Sequence, residues 1–302
     1  MITFEILIDE SFANSTLTPT NNKRVLSLIN DFEDGEWRYK KFQEFIWDNI
    51  VETALSSKER DSLINNHLSS LTEAAKKLRL SDRDEVGQGS ELAEIVLYGI
   101  MKHHYNALSV VPKIFYKQNS QDYAKGADSV HIVLENGFDF SLWFGEAKFY
   151  NSIEDVRLES IVKSVGNSLQ TDKLKKENSI ITNVCDLDSL EINNELRNKI
   201  KDLLSPNQSM DNLKLKLNIP ILLLHECELT KIQTILTDDY KDKIKAYHIN
   251  RAESFFKKQI VKLSSRIYKY SEIKFHIILF PVPIKKTIVD KFISNVELFQ
   301  NQ

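Results

Sequence analysis

The sequence predicts an α/β fold in which helices flank a mixed β-sheet. Two continuous apolar runs, at residues 219–225 and 273–282, are typical of strands buried on both faces. Between residues 125 and 150, two strands are joined by Asn136-Gly137, a pair that favours a hairpin turn. Amphipathic segments separate these strands, so the predicted order is helix, strand, hairpin, helix, strand, helix, strand.

The N-terminal part of the chain is predicted to be a smaller accessory domain without a catalytic signature. Residues 2–8 indicate a strand and residues 36–55 an amphipathic helix. Ser56 with Glu59 has the form of a capping box, which opens a helical region reaching about residue 80. The polar residues 81–89 contain two glycines and favour a boundary. We therefore predict an accessory or docking domain, 1–84, and a main domain, 85–302.

The composition excludes several classes of protein. With 42% hydrophobic residues the chain can build a core, and a net charge of −3 means that nucleic-acid binding must come from local patches. Cys185 and Cys227 lack C-x-x-C spacing, which argues against a disulfide scaffold or a zinc site. No apolar run approaches the roughly 20 residues of a membrane span, and the first residues lack the basic region of a signal peptide. We therefore expect a cytoplasmic protein with no membrane partner.

The hairpin at residues 125–150 carries a group of charged residues at its open end. Along its second strand Glu146 and Lys148 continue, by the two-residue period, an apolar row. On the first strand Asp128 begins the row that faces the same side. If the hairpin closes at the Asn-Gly turn, these three side chains lie close together. The apolar row consists of Phe140, Leu142 and Phe144.

Two carboxylates beside one ammonium group suit the metal-assisted hydrolysis of a phosphodiester. Carboxylates from two strands can hold Mg²⁺, which prefers oxygen ligands, and the ion polarises the phosphoryl group. Lys148 points the same way, so it can orient the attacking water and offset charge in the transition state. The alternative is a cross-strand ion pair at a sheet edge, because an isolated E-x-K on a strand usually forms only such a pair. Asp128 on the neighbouring strand favours the catalytic interpretation.

The same residues carry a resemblance to a known family. The strings Gly126-Ala127-Asp128 and Gly145-Glu146-Ala147-Lys148 resemble the active-site hairpin of the PD-(D/E)xK nuclease superfamily. The fuller strings GADSVH and WFGEAKFY are similar to HamA, the family of nuclease subunits in Hachiman anti-phage defence, over about residues 85 to 285. This resemblance implies a restriction-endonuclease-like core and a DNase that depends on Mg²⁺, with Mn²⁺ as a substitute. It also implies a superfamily 2 helicase partner of the HamB type.

The resemblance further implies roles for individual residues. Asp128, Glu146 and Lys148 are the expected catalytic residues, and Asp128 and Glu146 the expected metal ligands. In this superfamily the helix before the sheet often supplies another acidic ligand, for which Glu91 is the candidate and Glu94 the alternative. Ser90 can cap the start of this helix, and both glutamates would then interact favourably with its positive N-terminus. A metal-binding role and a purely structural role therefore both stay open.

A basic stripe on the predicted helix at residues 249–270 is a candidate for nucleic-acid contact. Its members recur at helical spacing and could follow a phosphate backbone. A solvated helix face would show the same pattern, so both readings remain. The stripe consists of Lys258, Lys262, Arg266 and Lys269.

Three functional hypotheses follow from these residues. The first is a metal-dependent DNase that acts as the effector of a defence complex with a helicase partner. The second is a non-catalytic subunit of nuclease fold that binds DNA or the helicase, and the third is an RNase of the same fold. The sequence contains no P-loop, so a helicase motor must be a separate protein.

Overall fold

The computed structural model describes residues 2–80, 90–114, 127–183, 187–188, 190, 192–205 and 207–302. Its strands are β1 (Glu5–Ser11), β2 (Lys23–Ile29), β3 (Phe32–Glu33), β4 (Glu36–Trp37), β5 (Leu108–Val111), β6 (Ser129–Glu135), β7 (Asp139–Tyr150), β8 (Leu217–Glu226) and β9 (Lys274–Val282). Its helices are α1 (Tyr39–Ala54), α2 (Ser57–Ser62), α3 (His67–Lys76), α4 (Ser90–Tyr105), α5 (Asp155–Ser168), α6 (Thr171–Asn183), α7 (Asn194–Leu204), α8 (Met210–Lys214), α9 (Glu228–Lys231), α10 (Asp238–Leu263) and α11 (Lys285–Gln300). No helix in these ranges is both long and apolar enough to cross a membrane.

Seven strands form one mixed sheet in the order β1-β2-β9-β8-β7-β6-β5. The four strands β2, β9, β8 and β7 run parallel to one another, whereas β1 pairs antiparallel with β2 on one side, and β6 with β7 and β5 with β6 on the other. The predicted α/β class with a mixed sheet is therefore confirmed. β3 and β4 form a separate two-residue ladder.

The two central strands are buried on both faces, as their apolar runs predict. Every residue of β8 except Glu226, and every residue of β9 except Lys274, is buried. Along β8, Ile221 and Leu223 belong to one hydrophobic core while Leu222 and Leu224 belong to the other. The sheet thus separates two cores, and helices close each of them.

Helices α5 and α10 cover the first core, and helices α1, α4 and α11 cover the second. Leu158, Ile161 and Val165 recur at helical spacing along α5 and are fully buried, so this helix lies flat on its face of the sheet. On the other face the buried row of α4 includes Ile95.

Several predicted helices have other bounds in the structure. The helical region after Ser56 divides into α2 and α3, and the capping box at Ser56 and Glu59 is present. The divide contains two asparagines, whose side chains compete with helical hydrogen bonding. A helix predicted at residues 249–270 is instead α10, which starts at a cap formed by Thr237 and ends at Leu263.

The N-terminal residues are built into the main sheet. β2 pairs in parallel with β9, and β1 pairs with β2. Phe42 and Ile46 of α1 share a core with residues of α4 and α11. The boundary expected at residue 84 lies outside the described residues. The segment predicted to be an accessory domain therefore contributes two strands and a helix to the same sheet and core.

A chain of buried polar groups crosses the first core beside β8. The Ser27 hydroxyl lies 2.7 Å from Nδ1 of His248, whose Nε2 lies 3.1 Å from Nε2 of His225. Nδ1 of His225 is 3.2 Å from the carbonyl oxygen of Glu226, so this nitrogen carries the proton. It follows that His248 donates to His225, and Ser27 donates to His248, with both rings neutral.

Candidate active site

The β6–β7 hairpin closes at the Asn-Gly turn that its sequence predicts. Asn136 and Gly137 adopt the positive φ angles of the turn, at 53° and 73°. The strands then pair from Glu135 opposite Asp139 to Ser129 opposite Gly145. One further step brings Asp128 opposite Glu146, so the two carboxylates meet at the open end of the hairpin.

Asp128 is fixed through both its backbone and its side chain. Its N–H donates to the carbonyl oxygen of Gly145 at 2.7 Å, and its Oδ2 accepts the N–H of Ala147 at 3.0 Å. Only 15% of its side chain is exposed. The carboxylate is therefore held against β7 and does not swing into solvent.

Lys148 lies between the two carboxylates. Its Nζ is 2.7 Å from Oε1 of Glu146 and 3.4 Å from Oδ2 of Asp128. Burial alone lowers the pKa of an amine, but Asp128 and Glu146 outweigh it and raise the pKa of Lys148 above its ordinary value. Lys148 is therefore an ammonium group at neutral pH, suited to stabilise negative charge.

Glu146 is the more desolvated of the two carboxylates. Its side chain is 9% exposed, and burial, followed by the charge of Asp128, raises its pKa. Lys148 and a hydrogen bond from Ser164 act in the opposite direction. Two acidic groups facing each other in a dry environment favour a bound cation.

Ser164 is a contact that the sequence did not reveal. Its hydroxyl, on α5, donates to Oε1 of Glu146 at 2.6 Å. In the sequence, Ser164 is distinguished only by its place next to Val165, which belongs to the buried row of the helix after the hairpin. That position alone does not predict a contact with Glu146. The hydrogen bond fixes the orientation of the Glu146 carboxylate from the helix side.

Gly145 permits the close packing behind this cluster. A Cβ atom at this position would lie 2.7 Å from Cδ2 of Leu97 on α4, and closer still to the hydroxyl of Ser129. Any larger residue would force these two side chains to shift directly beneath Glu146. The glycine of the G-E-A-K string thus leaves room for Leu97 and Ser129 behind the cluster.

The row of β7 side chains that includes Glu146 and Lys148 continues to Tyr150 at the end of the strand. Tyr150 is two residues on, and the guanidinium of Arg157 lies over its ring at 5.4 Å from the centroid. Burial raises the pKa of the Tyr150 phenol, while the charges of Lys148 and Arg157 oppose that shift. Arg157 is exposed on the first turn of α5. An aromatic ring and a cation therefore border the cluster on its solvent side.

The two glutamates of α4 occupy different surroundings from the cluster. The Glu91 carboxylate accepts the backbone N–H groups of Arg79 and Leu80, at 3.2 and 3.5 Å. Glu94 is buried, with 4% exposure. Their helix packs on the face of the sheet opposite Lys148. The structure thus brings together Asp128, Glu146 and Lys148, and it ties Glu91 to the segment after α3. The role of Glu91 as a third ligand stays a prediction.

The basic stripe is not one continuous helix face. Lys258 lies 3.4 Å from carboxylate oxygens of both Asp155 and Glu159, and Lys262 lies 3.5 Å from Glu159. Arg266 and Lys269 follow the end of α10, and Nζ of Lys269 donates to the carbonyl oxygen of Asp211. Two of the four cations are therefore paired with α5. Contact of this stripe with nucleic acid also stays a prediction.

The oxygen donors of the cluster fit Mg²⁺. Within the described ranges, no group of three or more His, Cys, Asp and Glu side chains is arranged to hold a metal ion. Asp128 and Glu146 supply two carboxylates, which is the usual number for Mg²⁺ that keeps several waters or substrate oxygens. Burial, and after it the charge of Asp128, keeps the pKa of Glu146 raised in spite of the nearby Lys148.

Comparison with known proteins identifies the family of the chain. None of the curated proteins compared with the chain matches it. A family model, HamA, matches residues 3–296, which include every strand of the sheet and the whole hairpin cluster. Because the match extends over nearly all of its 302 residues, the chain belongs to the HamA family.

Proposed function

We propose that this HamA-family chain, a component of the Hachiman anti-phage defence system, is a Mg²⁺-dependent nuclease that hydrolyses DNA phosphodiester bonds. The observation that carries the proposal is the meeting of Asp128, Glu146 and Lys148 at one partly desolvated edge of the sheet. A structural ion pair needs one carboxylate, whereas two carboxylates, one of them oriented by the partly buried hydroxyl of Ser164, serve the binding of a cation.

Asp128 and Glu146 would hold Mg²⁺, which when bound polarises the phosphoryl group and lowers the pKa of a coordinated water. Ala147 N–H keeps the Asp128 carboxylate in place, and the Ser164 hydroxyl keeps that of Glu146. Lys148 is charged, so it donates hydrogen bonds and does not take the proton of the attacking water. Its ammonium group orients that water and stabilises the negative charge that develops on phosphate oxygens.

The proposed partner is a separate helicase. The sequence contains no P-loop, so this chain has no means of moving along DNA with the energy of ATP. A nuclease of net charge −3 also lacks the overall attraction for DNA that a basic protein has. A helicase that delivers the DNA strand to the cluster supplies both functions. We place this complex in the cytoplasm.

The proposal is tested by cleavage assays on the purified chain, alone and with its helicase partner. We expect linear DNA to be cut with Mg²⁺ or Mn²⁺, and EDTA to abolish cutting. Glu146→Gln, which keeps the size of the side chain, should reduce the rate by about 100-fold or more. Cutting that persists in EDTA or in Glu146→Gln would refute the proposal.

Two further outcomes identify the alternatives. Cleavage of RNA but not DNA would indicate an RNase of the same fold. DNA binding without cleavage, in the presence of the helicase and metal, would indicate a non-catalytic subunit. Mn²⁺ titration tests the metal site independently of cleavage. The double variant Asp128→Asn/Glu146→Gln should lose Mn²⁺ affinity only if these two carboxylates hold the ion.

Arg157 is proposed to contact a phosphate next to the scissile bond. Measured in a Glu146→Gln background, Arg157→Ala should weaken DNA affinity and reduce the slope of log affinity against log salt by about 0.9 for duplex DNA. Lys163→Ala is the matched control, since Lys163 is exposed on the same helix but turned about 120° away. Equal slopes for the two variants would contradict this role.

A further inference from the structure

A buried ion pair lies next to the proposed site but takes no part in the mechanism above. Nζ of Lys113, just after β5, is 2.6 Å from Oε2 of Glu177 on α6. The two side chains are only 2% and 4% exposed. Removing both charges from water is costly, and a well-packed apolar pair of similar volume often serves folding equally well. The pair therefore calls for an explanation beyond packing.

The second carboxylate oxygen of Glu177 supplies that explanation. Oε1 accepts the backbone N–H of Ala127 at 3.0 Å. Ala127 is buried and directly precedes Asp128. One carboxylate thus uses one oxygen for the ammonium of Lys113 and the other for the backbone that leads into the site. Lys113 orients this carboxylate, since its ammonium fixes the position of Oε2.

The backbone around Asp128 is consequently fixed from three directions. Glu177 holds the N–H before it, Gly145 accepts its own N–H at 2.7 Å, and Ala147 donates to its side chain at 3.0 Å. The last two contacts belong to β7, which also carries Glu146. Glu177 contributes the only one of these three contacts that comes from a helix, and this helix is anchored by the buried Leu174.

We infer that Glu177 and Lys113 are positioning residues for Asp128. By holding the backbone N–H of Ala127, the residue before Asp128, they set the distance of the Asp128 carboxylate from Glu146 and Lys148. The inference rests on the proposed function, in which Asp128 is a metal ligand. When a residue that orients a metal ligand without touching the metal is lost, metal affinity or activity typically falls by about 10- to 100-fold.

Two double variants separate positioning from packing. Lys113→Gln/Glu177→Gln removes both charges but keeps an amide oxygen for the N–H of Ala127 and a hydrogen bond between the two side chains. Lys113→Met/Glu177→Met removes both charges and the acceptor while keeping similar volume. We expect the Gln pair to retain Mn²⁺ affinity and kcat within about twofold. The Met pair should remain folded and lose about 10-fold or more in both, with KM for DNA unchanged.

Amide hydrogen exchange of residues 127–129, measured without metal or DNA, tests the anchoring itself. Exchange should become faster in the Met pair and stay slow in the Gln pair. A folded Met pair with normal exchange and normal Mn²⁺ affinity would overturn the inference, as would a folded Gln pair that has lost kcat. If the Met pair does not fold, Lys113→Gln/Glu177→Asn takes its place, because the shorter amide cannot reach the N–H of Ala127; the same losses are expected, and a folded variant without them would overturn the inference.

These readouts also distinguish failure of the inference from failure of the proposed function. If the wild-type chain, with its helicase, neither binds Mn²⁺ nor cleaves DNA, the proposed function fails. In that case faster exchange in the Met pair alone would still show that Glu177 holds the backbone before Asp128, and unchanged exchange would refute it.

Discussion

Lys148→Ala is expected to reduce DNA cleavage by about 100-fold or more, because it removes the one ammonium group that lies between Asp128 and Glu146. The raised pKa of Lys148 means that a full positive charge is lost at neutral pH. The effect should fall on kcat, since charge develops on the phosphate oxygens only as the reaction proceeds. Stability should also fall, because the substitution leaves the largely buried carboxylates of Asp128 and Glu146 without their counter-charge, so folding of the variant is checked by urea unfolding.

The Mn²⁺ affinity of the same variant separates catalysis from a simple ion pair. The ammonium competes with a cation for Oε1 of Glu146, so Lys148→Ala should bind Mn²⁺ at least as tightly as the wild type. Lys216→Ala is the matched control, because Lys216 pairs with Asp139 at the other end of β7 with a similar exposure of 29%. The control should cleave normally. A Lys148→Ala variant that keeps a tenth or more of the wild-type kcat would contradict the assigned role.

Acid is expected to unfold the protein over a narrow pH range. Burial lowers the pKa of His225 to about 4 and that of His131 to about 3. Burial likewise lowers the pKa of His276 to about 3 and holds that of His248 well below its ordinary value. In the unfolded chain each ring binds a proton below about pH 6.5, and in the folded chain it does not. Stability is therefore complete above pH 6.5 and falls as the pH drops towards 4.

The expected size of this effect is large. Each neutral histidine contributes a slope of about 1.4 kcal/mol per pH unit, so four give about 5 kcal/mol per unit. Since domains are typically stable by about 5–15 kcal/mol, unfolding should occur within one to three pH units below 6.5. The chain from Ser27 through His248 to His225 adds a geometric reason, because a proton on Nε2 of His225 would face the N–H that His248 donates to the same atom.

His131→Phe provides the test of this mechanism. Among the described residues neither ring nitrogen of His131 has a hydrogen-bond partner, and its ring packs 5.2 Å from that of Tyr98. Urea unfolding between pH 8 and pH 5 should show a slope smaller by about 1.4 kcal/mol per unit, without loss of stability at pH 8. The exposed His67 is the control, and His67→Gln should leave the slope unchanged. A flat pH profile in the wild type would refute the mechanism.

The parts of the fold that the sequence predicts are those with a strong local period. The Asn136-Gly137 turn and the alternation along β6 and β7 identify the hairpin, and its observed register places Asp128 opposite Glu146. The apolar runs of β8 and β9 identify the centre of the sheet for the same reason. The pattern that predicts each of these elements lies within about ten consecutive residues.

The parts that sequence reasoning missed depend on distant packing. β2 begins with the buried Lys23 and pairs with Phe275 and its neighbours, some 250 residues away. Ser164 and Glu177 acquire their contacts only when α5 and α6 pack against the sheet. No local period marks a hydroxyl or a carboxylate for such a contact. A separate N-terminal domain was predicted for the same reason, since nothing near residues 5–29 reveals their partner strand.

The position of β9 in the sheet has a consequence for synthesis. This strand lies between β2 and β8, yet it is synthesised after both of them. Until β9 is made, the N-terminal half of the sheet is not joined to the hairpin, so the hydrophobic cores cannot close. For an enzyme proposed to cut DNA, incomplete translation products that lack β9 are thereby left without the folded support that Asp128, Glu146 and Lys148 require. Under the proposed function, the cell that makes the protein meets its nuclease chemistry only after β9 has joined the sheet.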